Sequence, residues 1–362
     1  MKVVQWNTAK VLGGAELRTL ELTKALIKKG HQVYIICRKN SFFENKLKQE
    51  HMNIIAYKNP FVGFIKILVF LKNWKPDIIH VHSGKDYAIS IILGMLNSIP
   101  VVIHRRLMSK VNPITKFLIN NWKTKIIAIS KATKEILIKE NKFEEEKIEL
   151  VYNAIPQERL KFDSDKIIQL QQHFDKKNKK IVLSVGNLYP TKGFEELIKV
   201  AKILKEKIKN LLVLIAGEGK ERKKLEKLII QYNLSDTVKL LGFRNDVIEL
   251  LKICDCFVLL SYEEPFGVAF IEALGCGKPV VGYRCGGLPE IIADNEVGYL
   301  VEPHDINAVC EKLEKILLDE ELAKKLGTNA KRYFDCKFSF NNMIEKIENI
   351  FYELKNLTNN KE

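Results

Sequence analysis

The sequence predicts an α/β protein built from two doubly wound units, each a parallel sheet with helices on both faces. Three observations predict it. The chain has 362 residues, more than one hydrophobic core usually serves, so two domains are expected. Short continuous apolar runs rich in Val and Ile alternate with amphipathic stretches, the pattern of parallel strands buried on both faces. The alternation breaks once, around residues 156–179, and then restarts.

Taken in order, the first half offers strands at "KVVQWN", "HQVYIICR", "NIIAYK", "DIIHVHS", "VVIHRR", "KIIAIS" and "IELVYN". Between the first two, "GAELRTLELTKALIKKG" is apolar at helical spacing and is stopped by Gly30. From Pro156, "PQERLKFDSDKIIQLQQHFDKKNKK" is polar, ends in a lysine cluster and reads as the linker. The second half offers strands at "KIVLSVG", "NLLVLIAG", "VKLLG", "CFVLLS", "KPVVGY" and "VGYLV". From about 342, "NMIEKIENIFYELKNL" forms a terminal helix whose polar end frays.

The composition, 46% hydrophobic and 28% charged, is that of a soluble globular enzyme and excludes a disordered chain. The longest apolar stretch, "FVGFIKILVFL" at 61–71, is about half a bilayer span and contains Lys66. "MKVVQWN" runs straight into strand-like sequence, so no signal peptide is expected. Seven cysteines, an odd number without paired metal spacing, read as reduced thiols of a cytoplasmic protein. The net charge of +15 is unevenly shared. Residues 1–161 carry 28 Lys and Arg against 13 Asp and Glu, a net +15, whereas 162–362 carry 31 against 31, a net zero. Two readings of the basic half stand: a solvated lysine-rich surface, or a face toward an anionic membrane or polyanionic acceptor. Nucleic acid is not expected, because no nucleic-acid module is recognisable. The stretch 61–71 likewise reads either as a core helix on its own sheet or as an apolar wedge among lysines.

Ligands of open parallel sheets sit beyond the carboxyl ends of the strands. In the second half those ends lead into "NLYPTKG", "EGKER", "FRND", "YEEPFG" and "RCGGLPE". Each combines Gly or Pro with polar side chains, and together they make a crest suited to phosphate, with Gly186, Asn187 and Gly217 at its turns. "AGEGKER" resembles half of a dinucleotide fingerprint, but Arg222 takes the place of the third glycine and "VKLLG" ends without a ribose-binding acid. In the first half, Gly13 and Gly14 of "LGGAE" follow a strand and open a helix, where bare amides approach a ligand or simply make a tight turn. His80 and His82 end one strand and His104 a neighbouring one. No zinc-ligand spacing joins them, and a wall of imidazoles suits sugar hydroxyls better, with a structural role the plainer account of His80. "DSD" at 163–165 resembles a metal-binding acid pair but lies in the linker rather than after a strand, and is set aside.

Two carboxylates carry the strongest signal. In "SYEEPFGVAFIEALGCG", Glu264 ends a strand segment, Phe266 and Gly267 start a helix, and Glu272 is the one charged residue from Phe266 to Leu274. A buried carboxylate without a partner costs several kcal/mol, so a bound ligand is expected to supply one. Nothing adjacent in the sequence neutralises Glu272, and it is placed to accept two hydrogen bonds from a vicinal diol such as a ribose.

The order of "GGAE", "VGNLYPTKG", "AGEGKERKKLE", "LLGFRNDV", "EEPFGVAFIEALGCGKPVVGYRCGGLPEII" and "VGYLVEPHD" resembles glycosyltransferase family 4 over nearly the whole chain. The resemblance implies retaining enzymes of GT-B architecture, with two Rossmann-like domains facing each other across a cleft. It implies an acceptor domain at 1–165, a nucleotide-sugar domain at 166–341 and a helix at 342–362 that crosses back to the first. Glu264 would contact the donor sugar's hydroxyls and Glu272 the ribose. Lys192, with the amides of Phe266 and Gly267, would neutralise the diphosphate. Gly14 would close over the phosphates, Arg244 would border the base and His104 would sit near the reacting sugar. The family often has arginine where this chain has Asn187. The expected activity is transfer from a nucleotide diphosphate sugar to a glycan or lipid-linked acceptor, in synthesis of bacterial lipopolysaccharide or capsule. No cofactor or metal is expected, and the location is cytoplasmic with peripheral contact to the inner membrane face. The alternatives are a non-catalytic sugar-nucleotide-binding protein and a dinucleotide-dependent oxidoreductase.

Overall fold

The computed structural model describes residues 1–10 and 13–359, so Leu12 of the glycine motif and the last three residues of the expected terminal helix lie outside the described residues. The chain divides into two compact units. The first begins with β1 (Lys2–Trp6), α1 (Gly14–Lys28), β2 (Gln32–Arg38), α2 (Phe42–Gln49), β3 (Ile54–Tyr57), α3 (Pro60–Trp74) and β4 (Ile78–Val81). It continues with α4 (Tyr87–Leu96), β5 (Val101–Arg105), α5 (Pro113–Asn120), β6 (Thr124–Ala128), α6 (Lys131–Lys139) and β7 (Ile148–Leu150). Its sheet is wholly parallel, in the order β3-β2-β1-β4-β5-β6-β7. Central β1 pairs with β2 and β4, and Val3, Val4 and Trp6 have no solvent exposure, which is why the strand reads as an apolar run instead of alternating.

The stretch at 61–71 forms a helix that packs on its own sheet and leaves one side exposed. Asn59 caps α3 by accepting from the Phe61 amide at 2.9 Å, and Pro60 stands in its first turn. Gly63, Ile67 and Leu71, four residues apart, face the core. On the other side Phe61, Val62, Ile65 and Val69 are exposed.

The second unit starts at Ala154. It comprises α7 (Ser164–His173), β8 (Lys180–Val185), α8 (Phe194–Lys207), β9 (Leu211–Ala216), α9 (Arg222–Gln231), β10 (Val238–Gly242), α10 (Val247–Ile253) and β11 (Cys256–Leu259). Then come α11 (Val268–Gly275), β12 (Val280–Tyr283), α12 (Leu288–Ile291), β13 (Gly298–Val301), α13 (Ile306–Leu318) and α14 (Glu320–Lys337). The order β10-β9-β8-β11-β12-β13 is again wholly parallel. The expected linker is corrected here. Asp163 caps α7 by accepting from the Asp165 amide at 2.9 Å, Leu170 is buried and α7 packs on α10, so the segment from Ala154 is part of the second unit.

The chain returns to the first unit with α15 (Phe340–Asn359). Ile344, Ile347, Ile350, Phe351 and Leu354 of α15 are buried, an i, i+3, i+4 stripe. Around that stripe Glu348 accepts from Lys29 Nζ at 2.6 Å and lies 2.8 Å from His31 Nε2, while Lys355 pairs with Asp77 at 2.9 Å.

Candidate active site

In the second sheet the strand order reverses between β8, which leads to β9 and β10, and β11, which leads to β12 and β13. Such a switch point opens a crevice between the loops that follow the two strands. The loop after β8 runs through Gly186 and the exposed Asn187 into a short turn, Pro190–Lys192. The loop after β11 carries Ser261 and Glu264 to Gly267, the residue that caps α11 with φ +100. The two loops are pressed together. A Cβ on Gly193, which has φ +66, would lie 1.9 Å from the Leu260 carbonyl oxygen, and the Tyr262 amide donates to Thr191 O at 2.9 Å. The next loop is as close: a Cβ on Gly217 would lie 1.8 Å from Gly186 O. Gly193 and the candidate Gly217 are therefore needed for backbone packing, whereas a Cβ on the candidate Gly186 would make only an ordinary contact, 3.5 Å from Phe194 Cζ.

This packing brings Lys192 and Glu264 together, Nζ to Oε2 at 2.6 Å, with both side chains mostly buried. Ser261 Oγ lies 3.4 Å from the same oxygen. Gly267 adjoins them, since a Cβ there would lie 3.5 Å from Glu264 Cγ. Phe266 is buried, its ring edge-on to Phe338. The site thus presents a cation and an anion, each able to exchange its partner for a ligand group of opposite character.

Glu272 is 5% exposed on α11, between the fully buried Ile271 and Ala273. Its expected isolation is corrected: Arg159 Nε pairs with Glu272 Oε1. The partner lies 113 positions earlier, in the short turn Gln157–Leu160, so no local pattern announces it. Arg244 also holds a partner, its Nε donating to Asp246 Oδ1 at 2.7 Å. Burial pushes the Asp246 carboxyl up, but the hydrogen bond and charge of Arg244 outweigh it and hold the group below the usual carboxylate range.

The remaining candidates, Gly13, Gly14 and His104, stand in the first unit. Gly13 caps α1, and its amide donates to Glu16 Oε2 at 3.0 Å; Gly14 is the first helical residue. His104 is buried at the end of β5, with ring centroids 5.4 Å from those of both His80 and His82. Burial, reinforced by the Arg106 charge, pushes His80 down to about 3. The same causes hold His82 and His104 well below the usual range, so all three are neutral imidazoles.

Their ring nitrogens come within 4.8 Å of one another, the one such trio of metal-type side chains among the described residues. The geometry does not suit an ion. Arg106 Nη2 donates to His82 Nδ1 at 3.2 Å, which leaves the proton on Nε2 to donate to Gln5 Oε1. With both His82 nitrogens engaged, two imidazoles remain beside a guanidinium, short of a zinc ligand set. Arg106 also donates to the Ala15 carbonyl in the first turn of α1 at 2.6 Å, a tie between β5 and the glycine motif that sequence reasoning missed.

Two parallel-sheet α/β units, one with a lysine–carboxylate pair at its switch point, define a two-domain doubly wound α/β protein. Residues 12–159 match Glycosyltransferase Family 4 and residues 165–333 match Glycosyl transferases group 1; the chain belongs to this glycosyltransferase family. It is 29% identical to N-acetyl-alpha-D-glucosaminyl L-malate synthase of Bacillus anthracis, covering 95% of this chain and 94% of that one. It is 24% identical to UDP-Gal:alpha-D-GlcNAc-diphosphoundecaprenol alpha-1,3-galactosyltransferase of Escherichia coli, covering 98% and 97%. The crystal structure of Anabaena HepE in complex with UDP-glucose superposes with a TM-score of 0.88 at 22% identity, over 98% of this chain and 100% of that one. That likeness shows the fold, the GT-B type with two Rossmann-like sheets of seven and six strands.

Proposed function

We propose that this glycosyltransferase takes its sugar from a nucleoside diphosphate sugar and transfers it with retention to a lipid-linked or glycan acceptor in bacterial surface-polysaccharide synthesis. The observation that carries the reading is the Lys192–Glu264 pair at the switch point of the second sheet. A diphosphate replaces the carboxylate at Lys192, and sugar hydroxyls replace the ammonium at Glu264. Glu272 takes the ribose diol. Charge builds on the diphosphate as the glycosidic bond breaks, and Lys192 with the amides at the start of α11 stabilises it there. The sugar C1–oxygen bond to the diphosphate breaks, the acceptor oxygen bonds to C1 on the same face, and the acceptor's proton passes to the departing diphosphate oxygen. His104, a neutral imidazole, serves as a hydrogen-bonding partner of the sugar rather than a charged acid. Fixed cation and dipoles do the work a metal would otherwise do.

The names of relatives support the donor and acceptor classes: one specifies UDP-Gal and a diphosphoundecaprenol substrate, and the Anabaena structure holds UDP-glucose. The first unit supports docking on an anionic leaflet. No helix among the described residues is long and apolar enough to cross a membrane. However, α3 exposes Phe61, Val62, Ile65 and Val69, and α5 exposes Ile114 and Phe117, with Lys66, Lys72 and Lys116 in the same helices. The test is a screen of UDP-, GDP- and ADP-sugars against purified protein, with the anomeric form of the released or transferred sugar read by NMR. Turnover of at least one donor with the anomeric configuration kept is expected. An inverted product overturns retention, and no binding of any nucleotide sugar overturns the whole reading.

A further inference from the structure

We infer that Arg159 is a positioning residue for nucleotide binding, holding the Glu272 carboxylate oriented to receive the ribose. The inference rests on the nucleotide-sugar reading above. Glu272 stands on a helix whose other buried positions are Phe270, Ile271, Ala273, Leu274 and Gly275. A carboxylate in such surroundings needs a paired cation to offset the cost of its burial, and a fixed partner also sets the direction of its second oxygen. Arg159 is that cation.

The turn that carries Arg159 is itself fixed against the same helix. The Arg159 amide donates to Pro156 O at 3.0 Å. Leu160 packs over Gly275, where a Cβ would come within 2.7 Å of Leu160 Cδ1, so a larger residue there would displace the Leu160 side chain. Neighbouring side chains therefore seat Arg159 and Leu160 on α11 together. The guanidinium meets Glu272 through Nε and Oε1, and among the described residues no hydrogen bond occupies Oε2. One oxygen is steadied by the protein and the other is left for the ligand. The Arg159 side chain keeps a quarter of its surface, whereas Glu272 keeps 6%. The arginine can thus remain paired while the carboxylate's free oxygen faces the nucleotide. A purely mechanical role, fastening the segment that follows Asn153 to the second unit, makes different predictions and separates cleanly.

The experiment is calorimetric titration of the full chain with UDP, and with uridine by competition. The variants are Arg159→Ala, Arg159→Lys, Glu272→Gln and the double variant Arg159→Ala/Glu272→Gln. Arg159→Ala is expected to weaken UDP and uridine by the same factor, about tenfold. Arg159→Lys should recover most of the affinity, since it restores the charge. In the Glu272→Gln background, Arg159→Ala should cost nothing further, the mark of two residues acting as one unit. Equal losses in both backgrounds overturn the inference in favour of a mechanical role. A loss confined to UDP overturns it by showing that the guanidinium meets the diphosphate. Unchanged affinity in a folded Arg159→Ala protein overturns the inference alone. A wild-type protein that binds no nucleotide overturns the nucleotide-sugar reading as well.

Discussion

Glu264 and Glu272 leave one short segment and answer to different partners, a lysine from the loop after β8 and an arginine from the turn before α7. Their substitutions should therefore separate. Glu272→Ala should weaken binding of the bare nucleoside diphosphate by about 2–3 kcal/mol, read by calorimetry, because the diol loses a buried charged acceptor. Glu264→Gln should leave that affinity unchanged and lower turnover, since its proposed ligand is the sugar. Equal damage to both measurements would undo the division. Lys192→Ala should reduce turnover more than donor affinity, because its charge matters most when the diphosphate departs. The carboxylates and Lys192 were legible in the sequence because each lies in a dense local pattern of glycine, proline and apolar residues. Arg159 and Arg106 were not. Each works through a contact with a residue distant in the chain, Glu272 for one and His82 for the other, and neither has a neighbouring pattern that assigns its partner.

Strands were legible as elements because parallel pairing buries both faces and leaves unbroken apolar runs, as in β9, where every residue is buried. Helix α7 was not, because it buries only Leu170 and its sequence is otherwise that of a surface. Helix α3 carries a bare apolar stripe that can be altered without touching the core. Phe61→Asp with Val69→Asp should abolish co-sedimentation with anionic vesicles while the thermal midpoint stays nearly unchanged. Retained vesicle binding would remove α3 from the docking surface. Helix α15 is fastened partly by Glu348. Burial pushes that carboxyl up, but the hydrogen bonds from His31 and Lys29 outweigh it and hold it below the usual range. A carboxyl lowered in the folded state stabilises fully above its unfolded value and loses that contribution as the pH falls through its folded value. Hydrogen exchange in residues 340–359 should therefore rise on acidification before that of the central strands, and Glu348→Gln should flatten the rise. A wild-type profile that does not change on acidification would deny Glu348 this role.

Over the whole molecule, the charge is divided as sharply as the fold: residues 1–161 hold a net +15 and the remainder none. Vesicle binding should accordingly need anionic lipid and weaken as salt shortens the reach of exposed charges. Binding to neutral vesicles with equal strength would leave the basic half as solvated surface. Turnover should also persist in a strong chelator, and complete loss restored by magnesium or zinc would overturn the metal-free scheme. The return of α15 to the first unit has a further consequence, for the order in which the protein is made. The second unit is continuous, Ala154–Ser339, so its whole sequence exists before the last helix is synthesised. The first unit, though translated first, lacks Ile344, Ile347, Phe351 and Leu354 until then. Domains generally fold in the order they emerge from the ribosome. Here the unit that is begun first is the one completed last, and it carries an uncovered apolar face throughout the synthesis of its neighbour.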